Sequence, residues 1–119
     1  MILLHQRLAV AATLYALVLG VWGVVSFFRG RGVTPNYRGA LVIGEGLLAA
    51  QALLGLLLLL LGYRPAEILH LLYGVLIPLV LPFTSGVVRG RSGRTRSLYY
   101  GGAALFIVGL AIRATVTGG

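Results

Sequence analysis

Four long apolar stretches dominate this sequence, at about residues 3–28, 39–61, 66–88 and 98–117, with only short connectors between them. A helix needs about 20 apolar residues to cross roughly 30 Å of hydrocarbon, and each stretch reaches that length. The connectors 29–38, 62–65 and 89–97 are rich in Gly, Arg, Pro and Ser, which punctuate helices. Strands of an outer-membrane barrel would alternate apolar and polar residues, whereas residues 56–61 are an unbroken leucine run. The first stretch does not read as a cleaved signal peptide. Its apolar part is too long, one arginine precedes it, and no small-residue cleavage site comes before Arg29. The expected fold is therefore all-α and integral to a membrane. It is one domain over residues 1–119, an up-down bundle of four transmembrane helices, since short loops favour antiparallel neighbours.

Composition supports this. Hydrophobic residues make up 59% of the 119 and charged residues 10%, against about 25% charged in soluble domains. A soluble fold would lack the polar side chains to cover its surface, so the surplus apolar surface must meet lipid. The net charge of +8 does not indicate nucleic acid, because the arginines form no stripe along a helix. They set orientation instead. Seven of the ten cations (Arg29, Arg31, Arg38, Arg89, Arg91, Arg94 and Arg96) lie with the first and third connectors. The other three are Arg7, Arg64 and Arg113. The first group should be cytoplasmic in a cell inner (plasma) membrane, leaving both termini extracytoplasmic.

Membrane helices associate through small residues, and each span shows one such face. In the first it is His5, Ala9, Ala12, Ala16, Gly20 and Gly23; in the second, Gly44, Leu48, Gln51, Gly55 and Gly62. In the third it is Glu67, His70, Gly74, Ile77 and Leu81; in the fourth, Gly102, Phe106, Gly109, Arg113 and Thr117. Pro78 and Pro82 each remove a backbone donor and should bend the third span. That bend is either an ordinary kink or one that opens a groove. Tyr37, Tyr63, Tyr99, Tyr100 and Trp22 lie toward span ends and read as interfacial anchors. The run from Arg89 to Arg96 fixes topology and can touch anionic headgroups.

Ionisable groups within spans point to function. His5 and His70 each lie about one turn in from the extracytoplasmic side, on helices that run in the same direction. Across the diagonal of the bundle two imidazoles can bracket one porphyrin iron, as axial ligands of a heme b or a chlorin. Ala9 and Gly74, one turn deeper, would leave room for the macrocycle. Arg113, with Arg7 and Arg64 near the same side, suits its carboxylates. A plainer reading keeps His5 as part of a headgroup flank and His70 as a helix-facing hydrogen bond. Glu67 can orient His70 or pair with Arg64 or Arg113. Glu45, with Gln51 deeper, marks either an ion pair with Arg38 or a proton or cation pathway.

The stretch Gln51-Ala-Leu-Leu-Gly55, the leucine run, Pro65 and His70 together resemble part of one half of the heme A synthase family. That family is similar to b-type membrane cytochromes in placing axial histidines near helix ends in a four-helix bundle. The resemblance implies His70 as an axial ligand; His5 matches no motif of the family, and catalysis does not carry over. Small multidrug transporters place a carboxylate in their first helix, where this chain has none, and no fluoride-channel motif is present.

Without cysteine or Asp there is no thiol chemistry and no Ser-His-Asp set, and no phosphate loop is visible. An enzyme is not expected. Two functions remain. One is a non-catalytic subunit of a larger respiratory or photosynthetic membrane complex, binding heme or chlorin between His5 and His70 and partnered by lipid and other membrane subunits. The other is a small self-associating transporter or channel using Glu45 and Gln51.

Overall fold

The computed structural model describes residues 2–118 and is helical throughout apart from its connectors. The helices are α1 (Ile2–Phe28), α2 (Pro35–Leu60), α3 (Leu69–Val87) and α4 (Gly93–Gly118). A 26-residue helix is about 39 Å long, so the 48 × 22 × 20 Å envelope is that of single helices lying side by side. α1 and α3 each pack on both α2 and α4, while the diagonal pairs make no close backbone approach. The bundle is thus up-down, with α1 and α3 parallel across the diagonal.

Polar connector residues set the helix starts, and so the starts depart from the apolar runs. α2 begins at Pro35, where a proline costs no donor, behind Thr34, whose hydroxyl accepts from the Tyr37 N–H at 3.2 Å. α4 begins five residues earlier than its apolar run, behind Ser92, whose hydroxyl accepts from the Thr95 N–H at 3.4 Å. α3 begins later, at Leu69. The residues before it are held by the end of α4 instead: the Glu67 N–H donates to the Thr117 carbonyl at 2.9 Å. Pro78 and Pro82 both lie inside an unbroken α3. Beyond them, the hydroxyls of Thr84 and Ser85 return hydrogen bonds to the carbonyls of Val80 and Leu81.

The predicted faces of α1, α2 and α3 point inward within the helices, while Gly62 and Glu67, assigned to them by spacing, lie outside the helices and are exposed. Ala12, Ala16, Gly20 and Gly23 of α1 are buried, as are Gly44 and Leu48 of α2 and Leu81 of α3. α4 departs from expectation. Its buried residues are Ser97, Gly101, Ala104, Ile107 and Thr117, while Gly102, Phe106, Gly109 and Arg113 face outward. The helix carries small residues on two faces, and the inward one allows the closer approach to α1. A Cβ on Gly101 would lie 2.7 Å from the Val24 nitrogen; one on Gly102 or Gly109 would meet nothing within 4 Å.

Two tyrosines also differ from the interfacial reading. Tyr37 is 1% exposed. Its hydroxyl donates to the Leu19 carbonyl at 2.8 Å, and its ring lies 5.0 Å from that of Trp22. Tyr100 is half-buried and hydrogen-bonds Ser85 at 2.8 Å. Tyr63 is exposed, as an anchor would be. Large apolar side chains cover the outside of the bundle at mid-helix, among them Leu14, Val18, Leu53, Val75, Phe83 and Phe106. All four helices are long and apolar enough to cross a membrane.

Candidate functional site

The two histidines meet. The His5 and His70 ring centroids are 6.1 Å apart with the planes at 79°, although the helices that carry them lie on a diagonal. Both side chains are half-buried. Nδ1 of His70 lies 2.7 Å from the Ala114 carbonyl. A carbonyl only accepts, so in the neutral ring the proton sits on Nδ1 and Nε2 keeps its lone pair.

Glycines hold the two rings. A Cβ on Gly55 would lie 3.2 Å from Cε1 of His5, and one on Gly118 would lie 2.8 Å from the His70 ring. Gln51, on the same face of α2 as Gly55, donates from Nε2 to the His5 carbonyl at 2.7 Å. Two polar atoms here are buried with no partner among the described residues, His5 Nδ1 and Gln51 Oε1. Gly74, one turn deeper than His70, has open space where a Cβ would point.

The other sequence candidates fall elsewhere. Arg113 precedes Ala114 and so lies at the depth of His70, but its side chain is exposed on the outer face of α4. Arg7, Arg64 and Glu67 are exposed as well. Glu45 and Gln51 point to different neighbours. Gln51 is bound to α1, whereas Glu45 lines a pocket between α2, α3 and α4 at the arginine-rich end. Glu45 Oε1 is buried without a partner among the described residues, so no hydrogen bond from Arg38 reaches it.

Sequence reasoning missed Ala114, Gly118 and the tyrosines. The Ala114 contact is made by a backbone carbonyl, which no residue type announces. Tyr15 and Tyr37 each donate to a carbonyl of the partner helix, Tyr15 to Ala40 at 2.7 Å. The signal for Tyr15 is Gly44, where a Cβ would lie 3.0 Å from the ring.

The arrangement brings two imidazoles side by side. Among the described residues no cluster of three or more His, Cys, Asp or Glu could hold a metal ion. No family model matches this chain, and neither a curated protein nor a solved structure is significantly similar to it.

Proposed function

We propose that this chain is a multi-pass protein of the cell inner (plasma) membrane that binds a metalloporphyrin, a heme b or a chlorin, through His5 and His70. The 6.1 Å separation of the two rings carries the reading. At that distance the two imidazoles would hold such a group between them. A bare zinc ion would want two further ligands, which the described residues do not supply. A metalloporphyrin would need only His5 and His70 from the protein to hold its metal. The bound group would supply one-electron or light-absorbing chemistry.

The chain's own residues prepare this site. The Ala114 carbonyl fixes the His70 tautomer that leaves Nε2 free to bind. Gln51 anchors the first turns of α1 through the His5 carbonyl. Gly74, one turn deeper than His70, puts no side chain into the space beside it.

The apolar exterior of the bundle supports insertion. The arginine bias supports a cytoplasmic location for the first and third connectors and an extracytoplasmic one for both termini. The connectors between the described helices are short, which supports a role as a non-catalytic subunit of a larger respiratory or photosynthetic membrane assembly. The test is a spectrum of protein purified from heme-replete cells. A Soret band that disappears in His70→Ala and in His5→Ala supports the reading, and a colourless wild-type preparation rejects it.

A further inference from the structure

The arginine-rich end holds a second site, unrelated to the histidines. It is a pocket of about 440 Å³ lined by Arg38, Glu45, Ser85, Arg89, Arg96 and Tyr100 above an apolar floor that includes Leu81 and Pro82. Two of its charged side chains are buried at one atom with nothing to bind. Arg96 Nε has no acceptor and Glu45 Oε1 has no hydrogen-bond partner among the described residues. A buried donor on a guanidinium left without an acceptor is costly, and Arg96 is one of the residues that line the pocket.

Polarity is graded with depth. Helices rise about 1.5 Å per residue. Arg38 and Arg89 are therefore at the mouth of α2 and α3, Ser85 is about 6 Å further in, and Glu45 and Pro82 are about 10 Å in. Ser85 and Tyr100 are joined by a 2.8 Å hydrogen bond, and the Ser85 hydroxyl also lies 3.2 Å from the Leu81 carbonyl. Since that carbonyl only accepts, the Tyr100 hydroxyl donates to Ser85. Ordered from the mouth inward, the lining is guanidinium, then hydroxyl, then carboxyl and hydrocarbon. A diacyl phospholipid has the matching order of phosphate, ester and chain. The three arginines against one carboxyl favour a ligand of net negative charge.

We propose that this pocket is a binding site for the headgroup of an anionic phospholipid, whose phosphate accepts from Arg96 and Arg38 and whose chains leave along the seam between α2 and α3. The inference rests on the membrane insertion proposed above and not on the porphyrin. Free phosphate shares the arginine chemistry but would make no use of the apolar floor.

The experiment begins with protein shown to remain in the membrane fraction after alkaline extraction. A failure at that step counts against insertion, and a failure after it counts against the pocket alone. The protein is then delipidated in a neutral detergent. Its retention of phosphatidylglycerol, phosphatidylcholine and inorganic phosphate is read by native mass spectrometry. The expected result is retention of phosphatidylglycerol over phosphatidylcholine, with Arg96→Gln weakening it at least about tenfold. Arg29→Gln, an exposed change at the same end but outside the pocket, should leave retention within about twofold. Equal retention of the two lipids would overturn the proposal. So would phosphate alone binding as well as the lipid, or equal losses in Arg29→Gln and Arg96→Gln, which would mean diffuse surface attraction. Should Arg96→Gln fail to fold, Arg38→Gln serves in its place, since Arg38 is exposed at the pocket mouth.

Discussion

Gly23 of α1 and Gly101 of α4 touch backbone to backbone: a Cβ added to Gly23 would lie 2.6 Å from the Gly101 Cα. No side chain fits there without separating the helices, and the neighbouring Tyr37 hydroxyl blocks a sideways escape, at 2.5 Å from the same Cβ position. Gly23→Ala should therefore destabilise the bundle by about 1–3 kcal/mol, the cost of overpacking. Gly102→Ala, one residue from Gly101 but with open space around it, should be neutral or stabilising by up to about 1 kcal/mol through helix propensity. Thermal unfolding in detergent, followed by circular dichroism, would show the two variants moving apart. Equal midpoints would mean that α1 and α4 do not meet at this register.

The Tyr37 hydroxyl is a buried donor with one partner, the Leu19 carbonyl. Removing it in Tyr37→Phe costs about 1 kcal/mol. Tyr37→Ala also removes the ring that stacks on Trp22 and should cost about 3–5 kcal/mol, as for a large core aromatic. At the exposed Tyr63 the change to Phe should stay within about 0.5 kcal/mol. Detergent or denaturant titrations of the three variants would rank them. A Tyr37→Phe variant as stable as the parent would show that this phenol also finds a partner in the unfolded state.

The number of helices was legible because hydrocarbon-length apolar runs have few alternatives, whereas their starts are set by polar connector residues outside those runs. The inward face of α1 was legible because its alanines and glycines recur at helical spacing, and those of α2 and α3 were legible in part, from Gly44 with Leu48 and from Leu81. α4 carries two faces of small residues, Gly101–Ala104 and Gly102–Gly109. Choosing between them requires knowing which one α1 can approach, and that is set by Gly20 and Gly23 on another helix. Tyr37 looked interfacial because it lies near a span end, but the Thr34 cap starts α2 before it and turns its ring inward. His5 and His70 could be placed at one depth and on parallel, diagonal helices from spacing alone. Their 6.1 Å approach and the Ala114 carbonyl behind His70 are tertiary facts. The arginine pocket was invisible for the same reason, since its residues come from three helices that converge only in the bundle.

If the rings are axial ligands, the glycines that hold them act on the bound group without touching it. A side chain at Gly118 would start 2.8 Å from Nδ1 and Cε1 of His70. That forces the ring off the Ala114 carbonyl and changes its tautomer and aim. Gly118→Val should therefore lower heme retention by roughly 10–100-fold, the range for losing a partner that orients a ligand. The far-ultraviolet spectrum should hold, because the site is at the last turn of α4. Gly109→Val on the outer face should keep its heme. The ratio of Soret to protein absorbance after gel filtration measures both. Full retention in Gly118→Val would remove His70 from the ligand set.

Orientation can be decided in cells because the chain has no cysteine, so a single introduced thiol reports without background. Gly30 and Arg64 are both exposed and follow the C-terminal ends of α1 and α2. A helix reverses side with each crossing, so the two positions must lie on opposite faces of the membrane. The bias of seven arginines against three predicts that Gly30 lies inside. Gly30→Cys should resist a membrane-impermeant maleimide in intact cells and react only after permeabilisation, whereas Arg64→Cys should react directly. The reverse pattern would put the arginine pocket on the outside and the histidine pair on the inside. It would also break the positive-inside rule for a chain with almost no mass in its loops to override it. Labelling of both from outside would mean that the helices do not cross the bilayer.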